Sequence, residues 1–372
     1  MYNRHFIRNF TAIVLSFLIT SCETGSSTRR MDRIVLKEDL KTNLPIDNTA
    51  KIGFMVPLSG PSKDVGNALL NSAMLAISEN NNANISLEVI DSSSSAFDAS
   101  AAVSQLKKER AEFILGPLFF AEAKEVAAFA KKESITVISF SNNSSLASSE
   151  ALIMGITPQS VAKRIVDFAT VHENIKEFYA LLPDNKYGRI FETVIASNID
   201  TIPGAGFSAS FYNSDDSMRK SFTELTELMN NKSGEKALIF PEGGENLAKF
   251  SLFLKDLPSD SRSFKLFGSD NWDDDKALAN INLDNAFYIK LRSNNYQNFS
   301  KRFQKAFGYK PPHIAIIAYD AVILASNLER QKLEFSLAEI VKHDRYQGEA
   351  MDFKFSNDGI VMYDLPLAKI EN

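Results

Sequence analysis

The chain has 372 residues, 44% of them hydrophobic and 23% charged, so it is a folded protein with apolar material for two packed cores rather than a disordered or fibrous chain. A formal net charge of −5, from 41 Lys and Arg against 46 Asp and Glu, leaves no basic surface built to neutralise phosphates and argues against nucleic acid as a partner. The single cysteine, Cys22, excludes an intrachain disulfide, a CxxC redox pair and a cysteine zinc cluster, and the four scattered histidines mark neither a catalytic triad nor a metal site.

At the N-terminus, Arg4, His5 and Arg8 precede an apolar or small run from Phe10 to Ile19. That run is too short to cross a hydrocarbon core, which takes about 20 helical residues, but it fits the charged and apolar regions of a secretory signal. Ile19-Thr20-Ser21-Cys22 resembles the bacterial lipobox, whose cysteine is lipidated and becomes the mature N-terminus. The expectation is a lipoprotein signal peptide over 1–21, a lipid anchor to the membrane at Cys22, and a flexible tether over 22–48 rich in Ser, Thr, Asn and charge. A plain secretory peptide with an incidental cysteine is the simpler alternative. Glu23, where an Asp is the usual inner-membrane retention signal of such lipoproteins, favours a periplasm-facing position on the outer membrane.

From Lys51 apolar runs alternate with helical periods. Lys51–Pro57 reads as a strand, followed by a turn at Leu58–Pro61 and a helix from Asp64 or Asn67 that carries Leu69, Ala73 and Ala76 on one face. Ile85–Asp91 is a strand, Phe97–Glu109 a helix, Phe113–Leu115 a strand, Ala121–Lys132 a helix and Ile135–Ser139 a strand. The rhythm then repeats: helix Ser160–His172, strand Glu177–Leu182, helix Arg189–Asn198, strand Phe207–Tyr212, helix Met218–Met229, strand Ala237–Phe240, helix Leu247–Leu254 and strand Phe264–Phe267. The remainder predicts a strand at Phe287–Leu291, helices at Phe299–Phe307, Ile314–Leu328 and Leu337–Lys342, and a hairpin of Met351–Phe355 and Val361–Ile370 around Asn357-Asp358-Gly359. Strand–helix alternation with short polar turns predicts α/β lobes, each a parallel sheet flanked by helices. Open parallel sheets bind ligands beyond the carboxyl ends of their strands, so two facing lobes would form a cleft lined by strand-ending loops.

In order and spacing, several segments resemble the type I periplasmic-binding-protein family, both its leucine/isoleucine/valine-binding branch and the penicillin-binding-protein activator lipoproteins. They are Ile52–Gly60, Ile114-Leu-Gly-Pro117, Ile135–Ser141, Leu182–Gly188, Gly268-Ser-Asp270, Tyr319-Asp-Ala321 and Tyr346–Gly359. The resemblance implies a two-lobed fold with three inter-lobe crossings, lobe I at 51–157 plus 288–346 and lobe II at 158–287 plus 347–372. The implied ligand-cleft residues are Ser59, Gly60, Phe119, Phe120, Ser141, Asn142, Asn143, Tyr187, Glu242 and Asp270. Glu242 could receive an ammonium group and Tyr187 could close over a ligand. Amino-acid-binding members carry serines after the glycine of the third strand to hold a carboxylate, whereas this chain reads Gly116-Pro-Leu-Phe-Phe-Ala121 with no hydroxyl. Phe119 and Phe120 read either as a cleft wall or as core.

Asp270–Asp275 lacks the glycine and distal glutamate of a calcium loop, and Gly204-Ala-Gly206 lacks the preceding strand of a dinucleotide fingerprint. No catalytic residues, metal or cofactor are expected. The reading is a non-enzymatic cell-envelope lipoprotein, first a regulator contacting a peptidoglycan synthase. The alternative is a substrate-binding lipoprotein delivering a branched-chain amino acid or a similar small amphipathic solute to an ABC permease.

Overall fold

The computed structural model describes residues 49–80, 84–93, 96–148, 151–257 and 264–371, so the signal peptide, Cys22 and the tether expected from sequence lie outside the described residues. The first half runs β1 (Ala50–Val56), α1 (Lys63–Glu79), β2 (Ile85–Asp91), α2 (Ala99–Lys108), β3 (Ala111–Leu115), α3 (Phe120–Glu133), β4 (Thr136–Ser139) and β5 (Ala151–Ile153). These strands form a five-stranded parallel sheet in the order β2-β1-β3-β4-β5. Strands β1 and β4 read as nearly unbroken apolar runs because helices cover both faces; every residue of β4 is buried.

The chain continues through α4 (Pro158–Val171), β6 (Glu177–Pro183), α5 (Lys186–Ile199), β7 (Gly206–Tyr212), α6 (Asp215–Asn230), β8 (Lys236–Phe240), α7 (Gly244–Asp256), β9 (Lys265–Gly268), α8 (Asp275–Leu278) and β10 (Phe287–Ile289). It ends with α9 (Asn294–Phe307), α10 (Ala315–Gln331), α11 (Leu337–Ile340), β11 (Phe353–Phe355), β12 (Val361–Tyr363) and β13 (Leu367–Lys369). The second sheet has the order β13-β10-β9-β8-β6-β7, parallel except for β13. Without β13 its strand order repeats that of the first sheet, so the α/β architecture in two similar lobes read from the sequence is the one observed.

Helix starts follow the expected chemistry. Asp98, Thr157, Asn185, Ser214, Ser293 and Ser336 each accept a backbone N–H from the first turn of the helix they precede. In α10 nearly the whole circumference is buried, which explains a long apolar segment without amphipathic contrast. It packs with α9 against α1 on the first sheet, so residues from the last third of the chain complete the first lobe.

Three features depart from the sequence reading. Strand β5 was not expected, since Ala-Leu-Ile is too short to show a period, as are the helical turns at Asp270–Trp272, Asp275–Leu278 and Ile281–Leu283. The predicted second hairpin strand, Val361–Ile370, is divided in two: β12 pairs with β11, while β13 pairs with β10 of the second sheet. Pro366 has no N–H to donate to a ladder, and its carbonyl instead accepts from Lys290 N at 2.8 Å. The β11–β12 ladder meets the first sheet where Ile153 N donates to Gly359 O.

Both lobes use a glycine in the first turn of the helix that follows their first strand, β1 or β6. A Cβ on Gly66 would stand 1.7 Å from the Pro57 carbonyl oxygen, and one on Gly188 2.0 Å from that of Pro183. Gly188→Ala is therefore expected to lower the free energy of unfolding by roughly 1–3 kcal/mol in urea denaturation, with an unchanged m-value; a loss under about 0.5 kcal/mol would contradict the close approach.

Candidate functional site

In each sheet the strand order reverses beside the first strand, between β1 and β3 and between β6 and β8, and the loops at those carboxyl ends are the natural ligand crevice. On the first sheet, the Asp91 carboxylate at the end of β2 accepts from Leu58 N at 2.8 Å and Ser93 N at 3.0 Å and fixes the turn containing Ser59. Burial alone would raise its pKa, but hydrogen bonds from Ser59, Ser93 and Leu58 hold the carboxyl below its usual range. Ser139 Oγ donates to Pro117 O and accepts from Ser141 N, tying the end of β4 to that of β3. Ser141 Oγ then accepts from Asn143 N, and Asn143 caps the short helix Ser144–Leu146. Phe119 and Phe120 start α3 and are each 39% exposed.

On the second sheet the loops form a closed polar cluster. Tyr187 Oη donates to Pro241 O at 3.3 Å and accepts from Asn271 Nδ2 at 3.2 Å. Glu242 Oε2 accepts from both Tyr212 Oη and Asn246 Nδ2, and its backbone oxygen accepts from Trp272 Nε1. Burial pushes the Tyr187 and Tyr212 phenols up, keeping them as donors, with the Glu242 hydrogen bond adding to the effect at Tyr212. Burial also pushes the Asp270 carboxyl up, to about 6. Asp273, Asp274 and Asp275, the acidic run next to it, are occupied: Asp273 and Asp275 pair with Arg292, and Asp274 caps α8.

A cavity of about 490 Å³ opens between the two sheets. Its wall takes Leu118 and Phe119 from the end of β3, Phe140 and Asn142 from the end of β4, and Asp270 from the second sheet. Ser62 and Val65 at the start of α1 add to it, and the rest comes from further along the chain or from connections, among them Gly155, Leu291, Tyr296, His313, Ile317, Asp320 and Tyr363. The connections are bonded to one another, with Tyr363 Oη donating to Met154 O at 2.9 Å and Ser293 Oγ to Ala350 O at 3.3 Å.

Residues 49–330 match the family described as periplasmic binding protein. The chain belongs to that family. It is thus a binding protein rather than an enzyme. Over 145 residues the chain is 27% identical to an uncharacterised protein of Rickettsia prowazekii (strain Madrid E), a match spanning 39% of this chain and 38% of that one. The C-domain of Haemophilus influenzae LpoA, a regulator of PBP1A, is 15% identical, with a TM-score of 0.67 over 87% of this chain and 98% of that domain. A putative branched-chain amino acid ABC transporter protein of Rhodospirillum rubrum is also 15% identical, with a TM-score of 0.75 over 87% of this chain and 98% of its own. LivJ of Streptococcus pneumoniae, in complex with isoleucine, is 17% identical with a TM-score of 0.55, covering 87% and 96% of the two chains. At these identities the shared property is the fold.

Within this periplasmic binding protein, the residues expected to line a ligand cleft are placed differently from one another. Phe119, Asn142 and Asp270 line the cavity. Ser59, Ser141, Asn143, Tyr187 and Glu242 hold loops in place, and Gly60 is exposed in a turn with φ of 69°. The alternative that Phe119 and Phe120 are core does not hold, since both reach solvent; Lys186 of the second lobe sits 6.0 Å from the Phe120 ring. Glu242, expected to be able to receive an ammonium group, already accepts two hydrogen bonds on one oxygen. His313, Tyr296 and Asp320 were missed as wall residues; a charged residue inside the apolar segment 314–328 was the available signal. Among the described residues there is no group of three or more His, Cys, Asp or Glu placed to hold a metal, and no helix long and apolar enough to cross a membrane.

A carboxyl raised to about 6 keeps its proton in the folded state at pH values where the unfolded chain has lost it, so its share of stability falls as pH rises from about 4 to about 6 and stays lost above. Asp270→Asn should accordingly be more stable than the parent at about pH 7.5, with the advantage vanishing near pH 4, as read by urea unfolding at both pH values. Equal stabilities at the higher pH would show that the carboxyl carries no such penalty.

Proposed function

We propose that this protein is a lipid-anchored cell-envelope regulator that acts by contact with a peptidoglycan synthase, in the manner of the penicillin-binding-protein activators. The observation that carries the reading is the end of β3. Gly116–Ala121 has no side-chain hydroxyl, and it presents Phe119 and Phe120 to solvent at the mouth between the lobes. An amino-acid carboxylate there would lack side-chain donors, at a cost on the order of 1–3 kcal/mol for each bond left unmade in a dry site. Exposed aromatic side chains are, in contrast, common anchors of protein interfaces. Glu242 supports the same reading, because Oε2 of its carboxylate is engaged by Tyr212 and Asn246 and the residue does not line the cavity. Lipidation at Cys22 and the tether over 22–48 would hold the body off the outer membrane and let it reach a partner across the periplasm.

A second reading, delivery of a small amphipathic solute to an ABC permease, draws on the cavity of about 490 Å³ between the sheets, a volume suited to a small ligand. The two readings separate in one assay. Adding the purified protein to its cognate peptidoglycan synthase should raise glycan polymerisation or cross-linking. Phe119→Ser combined with Phe120→Ser should cut that stimulation about fivefold or more with folding intact. Absence of stimulation together with a rise in melting temperature on adding isoleucine would transfer the case to the transport reading.

The anchor has its own test. Metabolic labelling with a fatty acid should mark the parent, while Cys22→Ala should run unlabelled in the soluble periplasmic fraction. Lipid on the variant would end the lipobox assignment.

A further inference from the structure

The cavity between the sheets has a wall chemistry that neither reading uses. Besides the ends of β3 and β4 and Asp270, it is bounded by the connections near 155, 291 and 363 and by the start of α10, whereas Tyr187 and Glu242 lie outside its wall. Besides two tyrosines, Tyr296 and Tyr363, its ionisable lining residues are Asp270, His313 and Asp320, and no Lys or Arg lines it. The nearby guanidinium of Arg292 is committed to Asp273 at 3.0 Å and Asp275 at 2.6 Å.

Asp320 is 3% exposed, yet it faces the cavity from within an apolar helix. Its Oδ1 accepts the Glu349 N–H at 2.6 Å, and no cation pairs with it among the described residues. One backbone donor compensates a buried carboxylate poorly, and burial pushes its pKa well above the usual carboxylate range. His313 stacks on Tyr296 with ring centroids 4.5 Å apart, and its Nδ1 is buried without a hydrogen-bond partner among the described residues. Burial lowers its pKa, so the neutral imidazole can offer Nδ1 as an acceptor. His313, Ile316 or Ile317, and Asp320 follow a spacing of three to four residues and lie on one side of the α10 start, with two acceptors flanking an apolar stretch. A carboxylate brought into this wall would meet two carboxyls and no cation, whereas an ammonium would supply Asp320 with the cation it lacks and favour its ionised form.

We propose that the cavity between the sheets binds a small amphipathic amine without a carboxylate, its ammonium paired with Asp320 and its apolar chain against Ile316 and Ile317. The site stands whether the chain regulates a synthase or serves a permease. It differs from an amino-acid cleft in the charge it selects.

Calorimetric titration of the purified full chain with n-hexylamine, n-hexanol and hexanoate tests this. Hexylamine should bind at least tenfold more tightly than hexanol, and hexanoate should show no heat of binding. Asp320→Asn, which retains an acceptor for Glu349 N–H, should weaken hexylamine tenfold or more and leave hexanol within twofold. If that variant fails to fold, Ile317→Phe, which fills the apolar end, should abolish hexylamine binding in its place. The proposal is overturned if hexylamine does not bind, if hexanoate binds as tightly, or if the variant that folds binds hexylamine as the parent does.

Discussion

Tyr319 of helix α10 donates a hydrogen bond to Glu79 of α1 across 240 positions of sequence, and the packing of those two helices is the contact on which the shape of the molecule depends. A parallel sheet needs cover on both faces, and the first sheet receives part of its cover only from α9 and α10. The chain must therefore leave the first sheet after β5, build the second, and return. Each passage leaves a connection between the lobes, and those connections become walls of the cavity. Arg302 reinforces the return, bonding Glu79 at 2.9 Å and Glu349 at 2.9 Å, and Asp320 holds the backbone of Glu349 from the other side.

The same constraint explains where polar chemistry could collect. Inside each lobe, parallel strands are covered by helices and their fully buried side chains are mostly apolar. Polar side chains are admitted at strand ends, where backbone groups of loops need partners. Ser139, Ser141 and Asn143 on one sheet and Tyr187, Glu242, Ser269 and Asn271 on the other are used in this way, each spending its hydrogen bonds on neighbouring backbone or side chains. Asp320 differs because it sits one turn inside a buried helix, facing empty space between lobes. Asp270 shares that position at the edge of the second sheet. Both carboxyls line the cavity, and both are raised by burial.

Much of the candidate site was legible because strand-ending loops can be found once strands are found, and the strands announce themselves as short apolar runs. Phe119, Asn142 and Asp270 were located in that way. For others on the same loops, such as Glu242, the partners were not legible, because Tyr212 and Asn246 come from different elements. Nothing local in Pro-Glu-Gly-Gly says that the carboxylate is already bound. The short strands β5 and β13 escaped for a related reason: three residues carry no period, and their pairing is set by a sheet edge supplied from elsewhere.

The sequence alone determined the α/β class, the two successive sheets, most helix and strand positions and the absence of thiol chemistry in the folded body, because those follow from local periodicity, capping residues and counts. It also placed the loops in which a ligand or partner would be met. Only the tertiary structure decided which polar side chains are spent on other residues and which face open space. It likewise joined Gly155, Leu291, His313, Asp320 and Tyr363 in one wall. Those residues are far apart along the chain and belong to no shared pattern; they meet because covering the first sheet forces the chain to cross between lobes, and proximity created by that crossing leaves no trace in local sequence.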